Sequence, residues 1–220
     1  MYIDRIMKRD VVSVAPEATL SEMAEVMRNH HFRHLPVVDG GRLVGVVSRQ
    51  DILRAEPSPV STLSAGEAKY LLSKVTAKEI MQSEVIECGP KTLIEEAGWL
   101  MRHHRVGFLP VLSDGQLQGV VTTDDLMDFF LDVTGCNVRD SARIALHLAD
   151  ETGRLSEMLQ QINKLGGYIA TVVSPTHPDE TGKRIAIVRY RHDDPQVVAD
   201  KLTEMGYHII TEDLEESGHV

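Results

Sequence analysis

The feature that most constrains this chain is an internal repeat. Displaced by 74 residues, positions 6–53 align without a gap on positions 80–127. Ile6-Met7 falls on Ile80-Met81, Pro16 on Pro90, Met27-Arg28 on Met101-Arg102 and Leu35-Pro36-Val37 on Leu109-Pro110-Val111. Gly45-Val46-Val47 falls on Gly119-Val120-Val121, and Asp51 on Asp125. Two copies are too few for a solenoid, in which each unit stacks on a row of neighbours. They predict instead two half-units packed face to face about a pseudo-two-fold axis, and such a seam makes clefts.

Within each copy a β-branched run, 11–14 or 85–88, stops before a proline, Pro16 or Pro90, and predicts a strand entering a turn. Leu20, Met23, Ala24 and Met27 recur at helical spacing, as do Ile94, Ala97, Gly98 and Met101, giving one amphipathic helix per copy. Leu35-Pro36-Val37-Val38, the turn Asp39-Gly40-Gly41 and Leu43-Val44-Gly45-Val46-Val47 predict a hairpin, which recurs around Ser113-Asp114-Gly115. A second helix opens at 48–51. The prolines of Glu56-Pro57-Ser58-Pro59 cannot continue it, and residues 65–75 read as a connecting helix.

From Ala142 the apolar pattern changes to alternation, with Ile144, Leu146 and Leu148 pointing one way as in a half-buried strand. A helix over 155–165 closed by Gly166-Gly167, strands over 168–173 and 184–190, a turn-rich 175–182, a helix over 195–205 and a strand over 208–211 follow. The order βαββαβ is the split-βαβ, ferredoxin-like pattern. The expected fold class is α+β or α/β. Repeat 1 occupies 1–56, a linker with its helix 57–75, repeat 2 76–133, a second linker 134–140, and the ferredoxin-like domain 141–220.

Composition excludes several functions. With 42% hydrophobic residues the chain can build real cores. A net charge of -10 argues against a nucleic-acid binder. Cys88 and Cys136 lack the paired spacing of a disulfide framework or thiolate zinc site. With no signal pattern and no apolar run near the roughly 18 residues of a membrane span, a soluble cytoplasmic protein without a membrane partner is expected. His30, His31, His103 and His104 suggest a metal, but adjacent side chains diverge and no carboxylate or cysteine lies at ligand spacing, so none is assigned. Met7, Met23, Met27, Met81 and Met101 read as core filling, and 212–216 as a solvated acidic tail. Phosphate-loop, nucleophile-elbow and zinc-helix motifs are missing, so no catalytic residues are assigned. Asp124-Asp125 is explained more simply by a helix start than by a hydrolase's metal cluster.

The repeated unit, over residues 1–133, closely resembles the cystathionine-β-synthase-type (CBS) domain, and two in tandem resemble the CBS pair. The resemblance rests on the hydrophobic-Leu-Pro-Val strand and on Gly45-Val46-Val47-Ser48-Arg49-Gln50-Asp51 with its counterpart Gly119-Val120-Val121-Thr122-Thr123-Asp124-Asp125. The tail is similar to an ACT domain, with Asp150-Glu151-Thr152-Gly153-Arg154-Leu155 at the strand-to-helix loop and Thr152 where that family usually has proline. The whole order resembles the AcuB-like acetoin-utilisation proteins.

That resemblance implies a non-catalytic regulator that binds an adenine nucleotide or adenosyl ligand: AMP, ADP, ATP or S-adenosylmethionine. Such a ligand needs an apolar slot, a carboxylate for ribose and donors for phosphate. By resemblance Asp51 and Asp125 hold ribose, and Ser48 and Thr122 donate hydroxyls at a helix start, where Arg49 also sits. The alternative reading makes Ser48 and Asp51 simply helix-capping partners. Arg33 and His34 match a phosphate-contact position. Their counterparts Gly107 and Phe108 leave the halves unequal, one a strong phosphate site and one degraded or nucleoside-like. Ser13 frames the base or is a plain surface residue. Asp150, Thr152, Gly153 and Leu155 are candidates for an amino-acid or carboxylate site, the alternative being a turn in which Thr152 caps the helix and Gly153 relieves strain. A homodimer is expected by analogy. A structural dimerisation module with inactive pockets and a nucleotide-processing enzyme remain as other classes of function.

Overall fold

The computed structural model describes residues 1–56, 65–180 and 182–213. The proline-rich closing segment of repeat 1 after Glu56 lies outside them, as does the acidic tail from 214. The chain forms two compact units, Met1–Met127 and Asp128–Val220.

In the first unit a 3-10 turn (Ile3–Arg5) leads to α1 (Leu20–His30), β1 (His34–Asp39), β2 (Arg42–Ser48) and α2 (Arg49–Ala55). After α3 (Ala65–Leu72) and α4 (Ala77–Ile80), the second copy repeats the order: α5 (Ile94–His104), β3 (Phe108–Ser113), β4 (Gln116–Thr122) and α6 (Thr123–Val133). The units divide inside α6. Each hairpin closes with two residues, Gly40-Gly41 and Asp114-Gly115, all four at positive φ. That is the primed turn whose twist matches the strands it joins. The hairpins lie side by side in one sheet, β1-β2-β4-β3. Leu20, Met23 and Met27 of α1 bury against Leu35, Val37 and Val47, as the helical spacing predicts.

The expected first strands of the copies are not formed. Residues 11–14 and 85–88 contribute one parallel bridge each, Val14 to Val37 and Cys88 to Val111. The reason lies in β1 and β3, where Pro36 and Pro110 have no N–H to continue a ladder. Burial, with Glu87 adding to it, pushes the Cys88 thiol up to about 11, so it stays un-ionised at neutral pH.

The second unit contains β5 (Ala142–Leu148), α7 (Arg154–Lys164), β6 (Tyr168–Val173), β7 (Arg184–Arg191), α8 (Pro195–Glu204) and β8 (His208–Asp213). These give the split-βαβ order and an antiparallel sheet β6-β7-β5-β8. Ile144, Leu146 and Leu148 bury against Met158 and Ile162 of α7 and Val198 and Leu202 of α8. The Tyr190 hydroxyl, at the same core, donates to the Pro195 carbonyl at 3.0 Å. Among the described residues no helix is long and apolar enough to cross a membrane.

Candidate functional site: paired clefts between the repeats

β2 and β4, which end in Ser48 and Thr122, each pass straight into a helix. The Ser48 N–H and hydroxyl both donate to Asp51 Oδ2, at 2.8 and 2.6 Å, and the Asp51 N–H donates back to Ser48 Oγ at 3.2 Å. Thr122 and Asp125 repeat the arrangement at 2.7, 2.6 and 3.3 Å. These are capping boxes with aspartate in place of the usual glutamate. Both carboxylates are buried, at 9% and 7% exposure. Capping thus accounts for one oxygen of each aspartate and fixes the direction of the other.

The repeats exchange their leading segments. Lys8 of copy 1 pairs with Val120 of copy 2, each N–H donating to the other's carbonyl at 2.9 Å, and Gln82 of copy 2 pairs with Val46 of copy 1 at 2.9 and 3.0 Å. Glycine is what permits this approach. A Cβ at Gly119 would stand 2.8 Å from the Lys8 carbonyl oxygen, and one at Gly45 would stand 2.6 Å from Met81 Sδ. In each Gly-Val-Val motif the glycine is therefore required by spacing, since neither has a positive φ.

Two clefts result, each with walls from both copies. The first, about 300 Å³, sets Lys8, Asp10 and Arg33 of copy 1 opposite Thr122, Thr123 and Asp124 of copy 2. The second, about 360 Å³, sets Gln82, Glu84 and Arg105 of copy 2 opposite Ser48, Asp51 and Arg54 of copy 1. His34 and Phe108, equivalent positions in the repeat, stack with ring centroids 5.0 Å apart and 18° between planes, and both line both clefts. The ring pair gives each cleft an aromatic wall suited to a flat base. Burial holds the His34 imidazole below its ordinary pKa; Asp51 opposes this and Arg33 reinforces it.

The candidates read from sequence separate accordingly. Arg33 and Thr122 meet in the first cleft, Ser48 and Asp51 in the second, and His34 belongs to both. Asp125 lies behind Thr122, with its Oδ1 2.9 Å from Lys8 Nζ. Ser13 is exposed and lines neither cleft. Arg49 instead lines a cavity of about 520 Å³ between α1 and α2. Its N–H donates to the Arg33 carbonyl at 2.8 Å. The cleft that lacks Arg33 is not short of cations, because it contains Arg54 and Arg105. Arg105 and Lys8 are not among the candidates legible in sequence, where nothing tells which half supplies which wall of a cleft. The available signal was positional: Arg105 and its counterpart His31 both end a helix in the left-handed conformation, with φ of 57° and 56°, and both turn into a cleft.

In the second unit, α7 begins at Gly153, which is its N-cap at φ 92° with no side-chain cap. Thr152 therefore does not cap the helix. The space around a Cβ at Gly153 is open, with Glu157 Oε1 4.0 Å away, so the glycine answers a backbone requirement. Asp150 reaches Arg184 at 3.6 Å, and Leu155 packs against the core.

Two copies of one unit enclosing equivalent clefts define a tandem-repeat module. The chain belongs to the CBS domain family, whose model matches residues 3–58 and 77–132, just over half of its length. An inosine-5'-monophosphate dehydrogenase of Korarchaeum cryptofilum is 34% identical over 119 residues, 54% of this chain but only 22% of that enzyme. A Methanocaldococcus jannaschii structure described as an archaeal homolog of g-AMPK is 29% identical, with TM-score 0.53, covering 59% of this chain and 47% of that one. A Vibrio cholerae protein assigned to acetoin utilisation (AcuB), 23% identical with TM-score 0.53, shares the fold over 62% of this chain and 95% of its own.

Proposed function

We propose that this chain is a non-catalytic regulatory protein that binds an adenine nucleotide or adenosyl ligand, AMP, ADP, ATP or S-adenosylmethionine, in the clefts between its CBS repeats. One observation carries the reading: each cleft combines a buried, hydrogen-bond-oriented aspartate at or behind its wall with two strong cations and the shared His34–Phe108 wall. These match the three needs of a nucleotide: acceptor for ribose, charge for phosphate and a face for the base. Ribose falls to Asp51 and Asp125, with Ser48 and Thr122 beside them, and phosphate to Arg33 in one cleft and to Arg54 and Arg105 in the other. The likeness to the archaeal g-AMPK homolog agrees with this reading.

The second unit is a coupling domain of ACT type, in which Asp150, Thr152, Gly153 and Leu155 border a site for an amino acid or related carboxylate. Its βαββαβ order supports that assignment. Ligand in the CBS clefts would alter affinity there, and linkage makes the effect reciprocal. Homodimerisation is supported by the exposed Leu53, Trp99 and Met127 on α2, α5 and α6. The cytoplasm is the expected compartment.

Calorimetry with adenosine, AMP, ADP, ATP and S-adenosylmethionine tests the central claim. Micromolar binding or tighter, on the order of -8 kcal/mol, is expected for at least one of them, without turnover. No heat and no thermal shift with any of the five would overturn it.

A further inference from the structure

The clefts are equivalent in backbone and unequal in one side chain. Lys8 and Gln82 occupy the same place, each fixed by paired backbone hydrogen bonds to a valine on the opposing hairpin. Lys8 Nζ lies 2.9 Å from Asp125 Oδ1, a carboxylate only 6% exposed, while 63% of the lysine side chain remains open to solvent. Oδ2 of that aspartate is already committed to Thr122. Asp125 thus has both oxygens engaged. Asp51 has Oδ2 engaged by Ser48, and its Oδ1 has no hydrogen-bond or ion-pair partner among the described residues.

We infer that Lys8 is a specificity-determining cation that sorts ligands between the clefts by phosphate. This rests on the nucleotide reading above. In the first cleft a ribose must displace an ammonium from a nearly buried carboxylate, exchanging a charge-assisted bond for neutral hydroxyl donors. A nucleoside offers the ammonium nothing in return. A nucleotide does, because the flexible four-carbon stem of lysine lets the released ammonium move to phosphate while the ribose hydroxyls take Oδ1. The first cleft is therefore selective for phosphorylated ligands. The second accepts adenosine and its nucleotides alike at the ribose, since Gln82 brings no charge to Asp51.

The test is calorimetry of adenosine and ATP on the full chain, comparing wild type with Lys8→Gln and Gln82→Lys. In the wild type, adenosine should fill one cleft well and the other poorly. Lys8→Gln should tighten the poorer adenosine site by about two- to fivefold, the range for an ion pair with one exposed partner, while weakening ATP there by a similar factor. Gln82→Lys should impair adenosine at the other cleft. Opposite signs for the two ligands support the inference; a change in the same direction for both, or none, overturns it. If the wild type binds neither ligand, the nucleotide reading itself fails and takes the role of Lys8 with it. If the wild type binds ATP and Lys8→Gln is indifferent to both, only the role of Lys8 fails.

Discussion

At the scale of single residues, helix capping and the proposed ribose contact, which the sequence presented as alternatives for Asp51, do not exclude each other. Its capping bonds to Ser48 use one carboxylate oxygen, and the residue also lines the second cleft, so the proposed reading couples stability and binding at one side chain. Asp51→Ala should cost about 1 kcal/mol in urea unfolding without ligand, the usual value of a lost helix cap, in addition to weakening the second cleft. An unchanged unfolding midpoint would show that the cap contributes nothing. His34 adds a pH dependence. Its folded pKa is below the ordinary 6.5 because burial disfavours the imidazolium. As pH falls through about 6.5 the unfolded chain takes up a proton that the native chain resists, so stability declines on the acid side and is retained above it. His34→Phe, which installs the residue of the other repeat, should flatten that decline in unfolding midpoints measured below pH 6.5.

At the scale of elements, most of the secondary structure could be read from spacing. Apolar residues of α1 and α5 recur at helical period, Gly40-Gly41 and Asp114-Gly115 mark primed turns, and Ile144, Leu146 and Leu148 alternate as their strand requires. What could not be read is anything that depends on which copy faces which. The runs at 11–14 and 85–88 have strand composition, yet the prolines of β1 and β3 limit them to single bridges. Likewise, the sequence leaves open which half supplies which wall, and the structure places Arg33 and Asp51 in different clefts. Pairing across a pseudo-two-fold axis leaves no trace in the local pattern. Only the glycines carry a hint of it. Gly119→Ala would force a Cβ to within 2.8 Å of the Lys8 carbonyl, and because that neighbour is backbone the segment must move. Overpacking of this kind should cost about 1–3 kcal/mol and weaken ligand binding at the first cleft more than at the second, read by thermal unfolding and by two-site calorimetry.

At the scale of the whole molecule, the first unit depends on mutual exchange between its repeats, while the second has a core of its own. The residues that line the clefts are likewise distributed between copies, so neither repeat carries a complete cleft. The exchanged leading segments also bear on how the chain is made. Synthesis proceeds from the amino terminus at about 5–20 residues per second, and Lys8 must wait for Val120, its backbone partner. For a time on the order of ten seconds the opening segment is made but unmatched. Gln82 has no such delay, because Val46 precedes it. The nascent chain can therefore assemble the Asp51 cleft wall before the Asp125 one, and a ribosome stalled between the two would hold a half-built module with its Lys8 segment free to pair with a neighbouring chain.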